Sequence, residues 1–277
     1  MGRFILVSRD TLLDVLKQTI LPGGIILNHL RGRTTNEPKE SDLPKGMADA
    51  TSTAHTSADD LVQEVALAIL YENFPDTQLN AEENTPRVQL FENVESDLCY
   101  HLDPLDGTLS YVRGGDGFAI GAAFSENEEF IVSAIYFPAK DRLYLSKKGG
   151  GITVADGLGN TYHFTRQSPP QKTYIQKRAE DYLPLVKKMN LTSYNTMGAH
   201  HGMIAIAEGS ASVLLYHMAS PHDFGIPQVI VEEAGGICTD LNGNFVKYTS
   251  DFNRLPWFLA FYDSDTRDEF FEMMSSL

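Results

Sequence analysis

Cysteine and positive charge are scarce in this chain, long apolar runs are missing, and each lack excludes a class of protein. Only Cys99 and Cys238 occur in 277 residues, far apart and in no metal-knuckle or redox spacing. A disulfide-stapled scaffold is therefore excluded; two buried, reduced thiols are expected, with a single disulfide between them the alternative. Lys and Arg total 22 against 37 Asp and Glu, a net charge of −15. Such a surface repels nucleic-acid backbones and anionic membranes, so neither is expected as a partner. No apolar run approaches the ~20 residues of a membrane-spanning helix. The stretch Phe4-Ile5-Leu6-Val7 is too short for a secretory leader, because Ser8-Arg9-Asp10 interrupts it. Leu6 stands where N-terminal acylation after Gly2 needs Ser or Thr. A cytoplasmic location is expected.

What is present fits an ordinary core, with 42% apolar and 21% charged residues. A helical apolar period runs over 8–30, with Ser8 or Asp10 as N-cap and Pro22-Gly23-Gly24 placed to kink or interrupt it. Residues 31–52 are polar and rich in Pro, Gly and Thr, which suits a mobile loop. A second helix follows over 59–74 and stops at Phe74-Pro75. Short strands are predicted at 88–91, 98–102, 118–124, 130–137 and 142–146. Beyond about residue 165 strands (173–176, 193–196, 213–216) alternate with helices (179–189, 203–208, 224–233). The alternation predicts an N-terminal α+β half over 1–155 and a C-terminal α/β half over 156–277, packed as one body.

The chemistry concentrates in Asp103-Pro104-Leu105-Asp106-Gly107-Thr108. A hydrophobic strand is predicted to end at Asp103, Pro104 to fix a turn, and Thr108 to open a short helix. Two carboxylates three residues apart in such a turn can meet one pair of cations. A helix N-terminus behind them suits a phosphate. Asp-Pro and Asp-Gly are also common turn dipeptides, so the alternative is a solvated turn. Further acids stand at Asp59, at Glu82-Glu83 and at Asp223. Singly, Asp59 and Asp223 read as helix caps and the Glu pair as a solvated loop.

Taken in order, Ala58-Asp59, Glu82-Glu83, the hexapeptide at 103–108 and His222-Asp223 with Glu233-Ala234-Gly235-Gly236 resemble the inositol monophosphatase family. That family comprises lithium-sensitive, magnesium-dependent phosphatases of inositol, sugar and nucleotide phosphates. Its D-P-[IL]-D-G-T signature is matched in full. In its second signature, W-D-x-A, His222 stands for Trp and Gly225 for Ala. The resemblance covers most of residues 55–245. It implies a layered αβαβα sandwich, an α/β fold (α+β plus α/β), with the site between the halves.

It also implies two or three Mg²⁺ ions and a role for each matching residue. Glu82, Asp103 and the Leu105 carbonyl would hold the first ion; Asp103, Asp106 and Asp223 would hold the second, with Asp103 bridging. Glu83 would support, or with a one-residue shift be the ligand in place of Glu82. Gly107 and Thr108 would offer backbone N–H groups to phosphate, and Asp59 with Thr108 would activate the water. Gly198, Ala199 and His200 lie where the family meets substrate. His200-His201 either greet the leaving group or form a plain surface or core-edge pair. Arg113 and the loop 114–117 follow the motif closely enough to face the same mouth. Tyr216 stands seven residues before Asp223, where inositol-preferring members carry Glu. Oxygen-only ligands of high charge select hard cations. The expected reaction is hydrolysis of a small phosphomonoester by direct water attack. Inositol phosphate, 3′-phosphoadenosine 5′-phosphate, histidinol phosphate and fructose bisphosphate are the substrate alternatives. A silent metal- or sugar-phosphate-binding regulator is the rival class. A homodimer is compatible with the sequence.

Overall fold

Ser8 accepts the Thr11 N–H at 3.1 Å, which caps helix α1 (Arg9–Leu30). The computed structural model describes residues 7–40, 43–51, 53–168, 173–177, 179–246, 248 and 254–276; the apolar stretch from Phe4 to Leu6 lies outside them. Pro22 neither ends nor splits α1, because its missing N–H removes one bond from a helix held by packing along its length. The segment after it folds back on itself, with the Glu37 N–H donating to the His55 carbonyl and the Lys39 N–H to that of Thr53. Helix α2 (Ser57–Asn73) begins at Thr56, which forms a capping box with Asp59.

The first sheet has seven strands in chain order: β1 (Gln78–Ala81), β2 (Leu98–Asp106), β3 (Ala119–Glu126), β4 (Glu129–Phe137), β5 (Arg142–Lys147), β6 (Ile152–Ala155) and β7 (Thr161–Tyr162). Only the β1–β2 pair is parallel. Helix α3 (Thr108–Val112) links β2 to β3. This sheet takes in β7, past the boundary expected at residue 155. The second sheet runs β11-β12-β10-β8-β9, from β8 (Thr173–Lys177), β9 (Thr192–Ser193), β10 (Val213–Ala219), β11 (Ile237–Thr239) and β12 (Leu255–Phe261). Between and after these strands come α4 (Leu183–Lys188), α5 (Ala199–Glu208), α6 (Pro221–Glu233) and α7 (Ser264–Met274).

Three apolar cores hold five layers together, the α5–α6 layer lying inside the middle core. Leu16 and Ile20 of α1 with Val62 and Leu67 of α2 meet Tyr100, Leu102 and Phe124 on one face of the first sheet. On its other face Ile135 and Phe137 meet Ile206 of α5 and Ile230 of α6, which also cover Leu214 and Phe258 of the second sheet. Val213 and Leu215, pointing the opposite way from Leu214, pack with Leu185 of α4 and Phe270 of α7. Alternation along one strand thus feeds two cores, as a pleat of period two requires. The αβαβα sandwich expected from the resemblance is the architecture found. Both cysteines are buried and unpaired. No helix among the described residues is long and apolar enough to cross a membrane.

Three local expectations fail. Residues 88–91 are not a strand but part of a 3-10 helix, Pro86–Phe91, which Pro86 starts. The helix expected over 179–189 is a 3-10 turn followed by α4, since Pro184 fits only a first helical turn. The strand at 193–196 shrinks to the two-residue edge strand β9. The last thirty residues, which carry no motif, supply β12 and α7.

Helix α1 passes close to the first sheet at Gly24, where an added Cβ would collide with the Tyr136 ring and lie 3.3 Å from Pro138 Cγ. Overpacking of this kind costs about 1–3 kcal/mol, more than the helix propensity gained. Gly24→Val should therefore lower the urea midpoint at unchanged slope; an unchanged midpoint would show that the contact yields freely.

Candidate active site

The acidic hexapeptide is built into a strand end. Strand β2 does not stop at Asp103; it stays paired with β3 to Asp106, with a register slip between the two that absorbs Pro104. Asp103 Oδ1 accepts the Leu105 N–H at 3.0 Å, holding the irregular stretch in a local turn. Gly107 then turns the chain with φ 81°, and a Cβ there would lie 2.6 Å from the Met197 carbonyl oxygen. Glycine is required at that point.

Three helix N-termini meet this strand end. Asp106 closes the first turn of α5: Oδ1 accepts the Ala199 N–H at 2.8 Å and Oδ2 the His200 N–H at 2.9 Å. Gly198 lets that carboxylate approach, since a Cβ on it would strike Asp106. Helix α6 is capped by Ser220, not by Asp223, which leaves the Asp223 carboxylate free to turn inward from the first turn. Carboxylate oxygens of Asp103, Asp106 and Asp223 lie within 4.8 Å of one another. Glu82 adds its negative charge beside Asp103.

Such a gathering resists ionisation. Burial, then Glu82, Asp106 and Asp223, hold the Asp103 carboxyl well above the usual carboxylate range. Burial, then Glu82 and Asp106, push Asp223 up to about 7. Hard divalent cations are the groups that would reverse this, and a donor set made only of oxygen suits them. The residues present fit such ions.

Asp59 supplies the third N-terminus with two functions. Its Oδ2 accepts the Thr56 N–H at 2.9 Å and the Thr56 hydroxyl at 2.7 Å, completing the cap of α2. Its Oδ1 lies 3.1 Å from the Thr108 hydroxyl, which also lies 2.9 Å from the Leu105 carbonyl oxygen. Burial is the largest of the causes that raise the Asp59 carboxyl to about 7, so it is poised to take up a proton near neutrality.

Glu82, Asp103, Asp106 and Asp223 line one cleft of about 1350 Å³, with Asp59 buried behind Thr108. Gly107, Thr108, Gly198, Ala199, Tyr216, Arg113 and Gly115 line it too. His200 does not. Its ring is fully enclosed, with Nε2 3.0 Å from the His222 carbonyl and 3.6 Å from Asp103 Oδ2, so it backs the carboxylates instead of meeting a ligand. His201 sits outside the cleft, against Phe137. Glu83 is buried beside Glu82, its backbone N–H bonded to Gln63 Oε1 at 3.0 Å, its side chain near His55. Lys39, from the polar segment after α1, reaches both glutamates, at 3.3 Å from Glu82 and closer to Glu83. Glu82 and Glu83 hold its ammonium protonated, against the burial that opposes charge. No motif marks Lys39; its place shows only once the segment folds back.

A model of the inositol monophosphatase family matches residues 9–259. The chain belongs to that family, a family of phosphatases. The family is metal-dependent, in accord with the oxygen-rich cluster. The fructose-1,6-bisphosphatase/inositol-1-monophosphatase of Aquifex aeolicus is 30% identical over 242 residues, covering 82% of this chain and 84% of that one. The histidinol-phosphatase of Chlorobaculum parvum is 27% identical, over 68% of this chain and 73% of its own. The Nus factor SuhB of Pasteurella multocida is 24% identical, over 70% and 74%. Among solved structures, the IMPase of Thermotoga maritima superposes with a TM-score of 0.72 at 21% identity, covering 96% of this chain and 98% of that one.

The raised carboxylates set a pH dependence for the phosphatase. With a folded pKa above the unfolded value near 4, Asp223 favours the metal-free fold below that value. It loses the contribution as pH rises through about 7. Cations compete for the ionised form. The melting-temperature gain from saturating Mg²⁺ over chelator should therefore widen between about pH 5 and pH 8. A gain that is constant or shrinks over that range would show that these carboxylates are not the ligands.

Proposed function

We propose that the enzyme hydrolyses small phosphate monoesters with Mg²⁺, by direct attack of water and without a phospho-enzyme. The observation that carries this reading is Thr108, lining one cleft with Asp103, Asp106 and Asp223 and hydrogen-bonded from behind to the buried Asp59. Glu82, Asp103 and the Leu105 carbonyl would hold one ion, and Asp103, Asp106 and Asp223 another, with Glu83 supporting Glu82. Ions held there would stabilise charge on the incoming and departing oxygens of an in-line displacement.

The protein's own groups do the rest. The backbone N–H groups of Gly107 and Thr108, at the start of α3, would receive a phosphoryl oxygen. Water held near Thr108 Oγ1 would give its proton to that oxygen as the hydroxyl passes its own to Asp59 Oδ1. A carboxyl near pKa 7 suits this task, because a base works best when its pKa lies close to the working pH. The presence of every one of these groups favours catalysis over a silent regulator. Tyr216 on the cleft wall, where a hydroxyl-binding Glu would stand, favours a substrate other than inositol phosphate.

Two results follow for turnover of p-nitrophenyl phosphate. Asp106→Asn should lower kcat/KM at least about a hundredfold, as loss of a metal-site group commonly does, with circular dichroism unchanged. Thr108→Ala and Asp59→Asn should each lower kcat by roughly 10²–10⁴-fold. The double variant should lose little more than the worse single, since the two act as a unit. Losses that simply multiply would separate Asp59 from the reaction and leave it as the cap of α2.

A further inference from the structure

Asp103 and Asp106 stand on β2, and Asp223 stands in the first turn of α6, so the cluster needs something to set the distance between them. One residue reaches all three places. His200, the second residue of α5, donates its backbone N–H to Asp106 Oδ2 at 2.9 Å. Its ring crosses to α6, where Nε2 lies 3.0 Å from the His222 carbonyl oxygen, in the peptide that leads to Asp223. The same nitrogen lies 3.6 Å from Asp103 Oδ2. Asp103 Oδ1 already accepts the Leu105 N–H, so the two oxygens of that carboxylate meet separate groups.

A carbonyl oxygen only accepts, so Nε2 carries a proton. Nδ1 finds no hydrogen-bond partner among the described residues, in a ring that is fully enclosed. A buried polar atom left unpaired costs stability that an apolar side chain of the same size would not lose. What the imidazole contributes therefore comes through Nε2. The sheet leaves room for the ring at one point. Gly121 of β3 is the strand partner of Asp103. A Cβ on Gly121 would collide with His200 Cε1 and lie 2.8 Å from Nδ1 and 3.0 Å from Nε2. Any larger residue there would push the ring off its seat beside the carboxylate.

Resting on the metal reading of the cleft, we propose that His200 is a positioning residue for the cation held by Asp103, Asp106 and Asp223. It touches neither ion nor substrate. Its backbone N–H and its Nε2–H hold Asp106, the start of α6 and the inner edge of Asp103 at one spacing, with the ring seated on Gly121. Mg²⁺ demands near-ideal octahedral geometry, so acids that are present but loosely placed bind it less well.

The test separates the two ring nitrogens, since Gln can place an amide N–H near Nε2 and Asn only near Nδ1. Mg²⁺ binding is read by calorimetric titration of chelator-treated protein, and folding by circular dichroism and melting temperature without metal. His200→Asn should weaken Mg²⁺ binding at least about tenfold, whereas His200→Gln should stay within about threefold of wild type. Gly121→Ala, which removes no polar group, should weaken binding as His200→Asn does. Turnover of p-nitrophenyl phosphate by the weakened variants should approach the wild-type rate as MgCl₂ is raised. Wild-type affinity in His200→Asn or Gly121→Ala, equal losses in the Asn and Gln variants, or turnover that MgCl₂ does not restore would overturn the proposal. Should His200→Asn fail to fold, Gly121→Ala against His200→Gln decides by the same criterion. A wild-type protein that binds no Mg²⁺ would instead overturn the metal reading itself.

Discussion

Mutual repulsion among buried carboxylates is the constraint around which this molecule is arranged. Asp103, Asp106 and Asp223 approach within 4.8 Å, with Asp103 and Asp106 buried and Glu82 beside them at the cleft surface. Left ionised without a counter-charge, such a group destabilises the fold that gathers it. The surroundings ease the strain by orienting dipoles. Two N–H groups from the first turn of α5 bind Asp106, and the starts of α2 and α6 face the same point. Helix N-termini stabilise negative charge, but typically by less than 1 kcal/mol each at an exposed surface. Dipoles of that strength cannot offset several like charges, which leaves protonation or bound cations to do so.

The layered architecture serves this arrangement. The first sheet delivers the hexapeptide at the end of β2, while α5 and α6, packed between the sheets, bring Asp106's partners and Asp223 from the other half. Neither half contains the whole cluster. Asp59 shows the economy of the design, since one oxygen secures the start of α2 and the other faces Thr108. A cap and a proton acceptor are usually alternative readings of an Asp at a helix start; here the side chain's two oxygens allow both.

Much of this was legible in the sequence, and the reasons for the rest are physical. The hexapeptide, the second motif and the periodicity of α1, α2 and α6 are local patterns, and local patterns survive translation into structure. The strand expected to end at Asp103 continues to Asp106 because pairing with β3 overrides the break that Pro104 suggests. Pro86 and Pro184 moved other boundaries by fixing where a helical turn can start. His200 looked like a ligand contact from its place beside Gly198 and Ala199. A helix that starts there turns its side chain into the core and leaves only its N–H on Asp106. Lys39 belongs to no motif. It reaches the cleft through a folded-back segment, which spacing along the chain does not reveal.

The claim at the centre of this account is that the carboxylate cluster exists to hold divalent cations. Calorimetric titration of chelator-treated protein with MgCl₂ addresses it without reference to any substrate. The account predicts saturable binding in the wild type, weakened at least about tenfold by Asp103→Asn, the residue shared by both sets of ligands. Absence of binding, or binding that Asp103→Asn leaves intact, would contradict it.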